Sequence, residues 1–173
     1  IIKLEKINNE KAQIEQITYL NDRFVLFVSC FDDSNEKAIL YALSYSGKTG
    51  KQIGKEKKLF EAPVEKKKRK GSFYIFISKD QSKVLVNHYA FYKSEGKLKD
   101  RYKLFDNEMN ILMEKNEVIN KAEKDYITYN YIIDNDGSVY FIRGMNNGES
   151  FIVSYDATKE YEKWEEPVDV SKL

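Results

Sequence analysis

Three times along this chain, the same order of events recurs. A short apolar run meets a turn, a second apolar run, a polar loop or turn and a further run. The first pass takes residues 14–20, the turn Asn21-Asp22, residues 23–28, the polar loop 32–36, residues 38–43 and the turn Ser46-Gly47-Lys48. The second takes residues 73–77, the turn 79–82, residues 83–86, a polar stretch, residues 102–106, the turn Asn107-Glu108 and residues 109–113. The third takes residues 129–133, the turn 134–137, residues 138–142, the turn Asn146-Asn147-Gly148 and residues 150–156. Aligning Val25, Val84 and Val139 gives spacings of 59 and 55 residues; Tyr45, Phe105 and Tyr155 give 60 and 50. Insertions in the polar loops absorb that drift. The runs are rich in Val, Ile, Phe and Tyr, and the chain holds 13 Tyr and 10 Phe against one Trp. Such side chains suit a pleated, half-buried surface. Helical spacing is weak throughout. The best helix candidate, residues 107–121, has two apolar clusters parted by Glu114-Lys115-Asn116-Glu117, which reads as strand, turn and loop. Asp136-Gly137 and Asn147-Gly148 suit hairpins, because Gly and Asn accept positive φ.

Each unit therefore reads as four short antiparallel strands. Four strands every ~40–60 residues mark the blade of a β-propeller. The segments 80–86, with Asp80 and Ser82, and 134–142, with Asp136-Gly137-Ser138, resemble the turn-plus-inner-strand signature of bacterial propeller repeats. Phe105-Asp106 and Tyr155-Asp156 resemble the aromatic-Asp pair that ends the next strand of those repeats. The first unit departs from the pattern, with Asn21-Asp22-Arg23 at its turn and Tyr45-Ser46 where the Asp would stand. The resemblance covers roughly residues 14–164. It implies an all-β fold of antiparallel four-stranded blades: a partial β-propeller of about three blades. These form a single repeat domain over residues 1–173, with blades at roughly 14–60, 73–119 and 126–170. A closed propeller needs four or more blades. Two arrangements are open: a part of a larger propeller, which is preferred, or three sheets in an open or sandwich-like array. Ile1-Ile2-Lys3-Leu4 is a candidate outer strand of a preceding blade. An uncovered blade face would be apolar and would need a partner.

Composition narrows function further. Lys plus Arg is 29 and Asp plus Glu is 28. That near-cancellation excludes a uniformly basic nucleic-acid protein and an acidic solvating tail, so no nucleic-acid partner is expected. The lone Cys30 sits in an apolar run and cannot form an intrachain disulfide; an inert, buried thiol is expected. No basic segment leads into an apolar one as in a secretory leader. No apolar run approaches the ~18 residues of a membrane span, so no transmembrane segment is expected. The propeller resemblance implies an extracytoplasmic location, in a periplasm or at a cell surface.

Several residues are candidate contacts. The run Lys66-Lys67-Lys68-Arg69-Lys70 reads as a contact for phosphate, acidic polysaccharide or an acidic partner surface, or as a solvated loop between blades. Residues 51–70 hold nine basic and three acidic side chains, whereas residues 156–169 hold six acidic and two basic. Alternation sets His88 on one face with Val84 and Val86, either as a ligand contact at a strand end or as a histidine bonded to backbone. Tyr89, Tyr92, Tyr129 and Tyr131 are candidates for an aromatic rim that takes sugars or peptides. The oxygen-rich segments 134–137 and 32–36 are more economically hairpin loops than cation sites, because no EF-hand glutamate follows at the required spacing. A lone histidine cannot make a multi-histidine metal site. No metal or cofactor is expected. No Gly-x-Ser-x-Gly, phosphate-cradling Gly-rich loop or His-Glu-x-x-His is present, so no catalytic residue is assigned. The expected function is a non-catalytic protein-interaction module of propeller type, a component or fragment of a larger assembly. Its partner is a protein or further blades of the same propeller. The alternatives are a carbohydrate- or polyanion-binding domain, and a fragment of a propeller hydrolase.

Overall fold

The apolar runs are rich in β-branched and aromatic residues, and they become strands whose side chains alternate between two faces. The structure is a computed structural model; it describes residues 4–120, 126–145 and 148–169, without the side chains of Tyr126, Ile127 and Tyr129. The expected elements at Ile1-Ile2-Lys3 and Asn146-Asn147 lie outside the described residues. A small hairpin comes first, β1 (Lys6–Ile7) with β2 (Glu10–Lys11). Three four-stranded antiparallel sheets follow, each a meander in chain order. The first holds β3 (Gln13–Leu20), β4 (Arg23–Asp32), β5 (Lys37–Ser46) and β6 (Gln52–Pro63). The second holds β7 (Ser72–Ile77), β8 (Lys83–Tyr92), β9 (Lys97–Asp106) and β10 (Ile111–Ile119). The third holds β11 (Tyr126–Ile133), β12 (Val139–Met145), β13 (Ser150–Asp156) and β14 (Glu162–Pro167). The chain is all-β, as expected.

The sheets stack face to face in chain order. Val25, Phe27, Leu40 and Phe60 of the first sheet pack against Phe73, Ile75, Val84 and Phe105 of the second. Leu85, Tyr102, Leu104 and Met113, on the opposite face of the second sheet, pack against Val139, Phe141, Val153 and Tyr155 of the third. Central strands are thus buried on both faces, which explains unbroken apolar runs such as Val25–Cys30 in β4. On the outer side of the first sheet, Leu26, Val28, Cys30 and Tyr41 lie beneath Ile7 of the β1–β2 hairpin. Cys30 is buried, as expected. The first strand of the second sheet, β7, touches both β3 and β11. The first strands therefore lie together at a hub, and β6, β10 and β14 form the rim. This is the arrangement of propeller blades.

The register between repeats differs from the expected one. Val84 pairs with Phe105 and Val139 with Tyr155, and all four are buried against the preceding sheet. In the first sheet the residue paired with Tyr45 is Phe24, not Val25. Phe24 is the true counterpart, and the alignment on Val25 is one residue out. The cause is the first hairpin, which closes on Asn21 and Asp22, both at positive φ, where the later repeats use longer turns. A slip of one residue exchanges the two faces of a strand. Met109 is a second difference. It is a turn residue at φ 63° with its side chain in the first core, and β10 begins only at Ile111.

Candidate functional site

The basic run forms the connector between the first and second sheets, with a single 3-10 turn at Lys67–Arg69. Gly71 lets it lie close on β8. At φ +75°, a Cβ there would come within 2.1 Å of the Tyr89 carbonyl oxygen. The Lys70 carbonyl accepts a hydrogen bond from His88 Nε2 at 2.9 Å. His88 is fully buried, its ring 4.6 Å from Phe73 and 5.9 Å from Phe60. Burial, aided by the Arg101 charge, lowers its pKa to about 4. Since Nε2 carries the proton, Nδ1 is the nitrogen that faces Arg101 Nη1, at 3.5 Å. Arg101 also donates to the Tyr92 hydroxyl at 3.0 Å, and that hydroxyl donates to the Pro63 carbonyl. Lys99 Nζ stands 3.8 Å from the Tyr92 ring centroid.

The structure therefore brings Lys70, His88 and Tyr92 together at the seam between two sheets. Tyr89 lies on the opposite face of β8, stacked on Tyr74. Much of the basic run is engaged locally. Lys67 pairs with Asp33 at 2.8 Å and Arg69 with Glu65 at 3.1 Å, and Lys70 Nζ donates to Gln13 at 3.2 Å. Glu65 accepts from the Ser94 hydroxyl and from the backbone N–H groups of Ser94 and Lys93, which holds its carboxyl at about 2. Lys66 and Lys68 project into solvent. Glu65, Lys66, Arg69, Lys93 and Ser94 line a shallow open depression there. Tyr131 stacks on Phe76 at the edge of the second core, and the Tyr129 side chain lies outside the described residues.

A second polar cluster spans the second and third sheets. Glu117 of β10 accepts from the Tyr155 hydroxyl at 2.7 Å and pairs with Arg143 and with Lys163, the latter at 2.8 Å. Arg143 and Lys163 also reach Glu165, at 3.3 and 2.7 Å. Burial works to raise the Glu117 carboxyl, but the Arg143 charge, Lys163 and Tyr155 overcome it and leave the pKa lowered. Burial and the Glu117 charge push the Tyr155 phenol up. A general acid needs a raised carboxyl pKa; Glu117 is held ionised, as befits a clamp between sheets.

The outer face of the third sheet is the feature that sequence reasoning missed. Cross-strand pairing sets Ile132, Tyr140, Ser154 and Trp164 in one row. The corresponding row of the second sheet is Phe76, Leu85, Leu104 and Met113, which faces the third sheet. In the third sheet no described element packs on the row: Ile132 is 60%, Tyr140 37% and Trp164 50% exposed, and only Ser154, set between the two aromatic side chains, is buried. Ser154 stands where the second sheet has Leu104, so a notch opens between the Tyr140 and Trp164 side chains. Asp156, Glu162 and Glu166 share this face, by their pairing and by alternation along β13 and β14. Asp156 accepts from Thr158 and pairs with Lys159 at 3.6 Å. The Glu162 and Glu166 carboxylates make no hydrogen bond or ion pair within the described residues. The available signal was the period-two spacing of Glu162, Trp164 and Glu166 within the acidic segment.

Among the described residues, no helix is long and apolar enough to cross a membrane, and no group of three His, Cys, Asp or Glu is placed to hold a metal ion. No protein-family model and no curated protein matches the chain. Among solved structures, the chain is similar to the β-propeller domain of the Trilobed protease from Pyrococcus furiosus, a domain described as having an open velcro topology. The TM-score is 0.48 at 11% identity, over 90% of this chain and 43% of that one. The chain thus spans less than half the length of that structure.

Proposed function

We propose that the chain is a non-catalytic protein-interaction module of β-propeller type, and that it binds through the outer face of its third blade. The observation that carries this reading is the exposed row Ile132, Tyr140 and Trp164, whose counterparts Phe76, Leu85 and Met113 face the neighbouring blade. Exposed aromatics beside aliphatics on a rigid sheet are the usual anchors of protein interfaces. The occupant is a separate protein or a further blade. The test is capture of a partner from the native extract by the wild type and by a Tyr140→Ser/Trp164→Ala double variant. Retention is expected to fall at least tenfold in the variant. Equal retention by both overturns the reading. A polyanion-binding role is the second reading, supported by the solvent-facing Lys66 and Lys68. Salt-sensitive retention on heparin, abolished by Lys66→Glu/Lys68→Glu, would favour it.

A further inference from the structure

The notch on the outer face of the third blade has a definite chemistry. Its floor is Ser154 and its walls are Tyr140 and Trp164, from strands on either side of β13. Neighbouring strands lie about 4.8 Å apart, so the two walls rise from backbones about 10 Å apart. A group seated midway is about 5 Å from each wall, inside the ~6 Å reach of a cation–π contact. The charge on this face has one dominant sign. Glu162 and Glu166 flank Trp164 along β14, each about 7 Å away on the same face. Lys163 and Glu165 point to the opposite face, where they join Glu117 and Arg143. Lys159 and Lys163 both border the notch, but their charges are engaged, Lys159 with Asp156 and Lys163 with Glu117 and Glu165.

We propose that this notch takes an arginine side chain from a basic segment of the partner protein. The inference rests on the interaction reading of this face and adds the chemistry of what the face accepts. A guanidinium is planar, so it can lie between two aromatic walls. It is also forked, so it can bond Glu162 or Glu166 bidentately while stacked on Trp164. A lysine ammonium supplies the charge but neither the plane nor the fork. A second copy of this face would set the same carboxylates against each other.

Trp164 is the only tryptophan in the chain, so its fluorescence reports this notch alone. The experiment titrates the whole chain, at low salt, with hexa-arginine, hexa-lysine and hexa-citrulline peptides. Citrulline keeps the planar shape and removes the charge. Hexa-arginine is expected to give a saturable change in Trp164 emission, at least tenfold tighter than either other peptide. A Glu162→Gln/Glu166→Gln double variant should weaken hexa-arginine binding tenfold or more with its unfolding midpoint unchanged. Lys66→Glu/Lys68→Glu should leave the titration as it is. Equal affinity for the three peptides overturns the inference, as does an unchanged affinity in the glutamine variant or no Trp164 response at millimolar peptide. If partner capture still depends on Tyr140 and Trp164 after such a result, arginine recognition alone is lost and the interaction face stands.

Discussion

Acidification is expected to loosen the seam between the first two sheets through one residue, His88. Its ring is enclosed by Phe60 of β6, Phe73 of β7, the Lys70 carbonyl of the connector and Arg101 of β9. The ordinary histidine pKa of 6.5 falls to about 4 in the fold, with burial the main cause. In the unfolded chain the imidazole takes up a proton as pH falls through 6.5; in the fold it does so only near pH 4. The folded state is therefore fully favoured above pH 6.5, and the advantage shrinks as pH drops and is lost through pH 4. At about 1.4 kcal/mol per pH unit, this amounts to about 3 kcal/mol. The assay is urea unfolding at pH 7, 5.5 and 4, for the wild type and His88→Gln. Glutamine keeps a donor for the Lys70 carbonyl and does not titrate. Between pH 7 and 4 the wild type should lose about 3 kcal/mol more than the variant. Glu61 and Glu65, held at about 2, lose their contributions only as pH falls from the ordinary carboxylate range toward 2, and they do so in both proteins. Equal losses in the two proteins, or a His88 proton titrating near 6.5 by NMR, would refute the reasoning.

Other perturbations have distinct signatures. Gly71→Ala puts a Cβ against the Tyr89 carbonyl at a positive φ, and should cost at least about 2 kcal/mol in chemical unfolding; a wild-type midpoint would contradict it. Arg143→Met leaves the partly buried Glu117 with Lys163 and the Tyr155 hydroxyl but without its main cation, and should cost about 1–3 kcal/mol. Adding Glu117→Gln should recover part of that loss, and strict additivity would show that the two groups are not coupled. Trp164→Ala should cost about 1–2 kcal/mol, because half of the side chain is exposed and the rest lies against its own sheet; a loss of about 4 kcal/mol or more would place it in a core.

The strands at Ser72–Ile77 and Lys83–Tyr92 are legible because alternation and side-chain bulk are local properties. The rim strands β6 and β14 are not, because long exposed stretches carry Lys and Glu and hide the period. The register of the first repeat also escapes, since one turn of different length decides which of Phe24 and Val25 faces outward. His88 is legible as a face and not as a site, because Phe60 and the Lys70 carbonyl reach it from other segments. In the same way the charge of residues 66–70 is plain in the sequence, yet its sharing with Asp33, Glu65 and Gln13 is not.

From its amino acids alone, the chain is determined to be all-β, built of three repeated four-strand units, with a basic connector and an acidic final segment. Each of these follows from neighbours in sequence: period, turn residues and local charge. Which faces are buried, which cations are already paired, and where an aromatic notch opens are decided only when strands take their partners. Tyr140, Ser154 and Trp164 lie apart in the chain and meet because hydrogen bonding across β12, β13 and β14 sets them in one row. The third sheet has no described neighbour on that side, so the positions that form a core in the second sheet become a surface in the third.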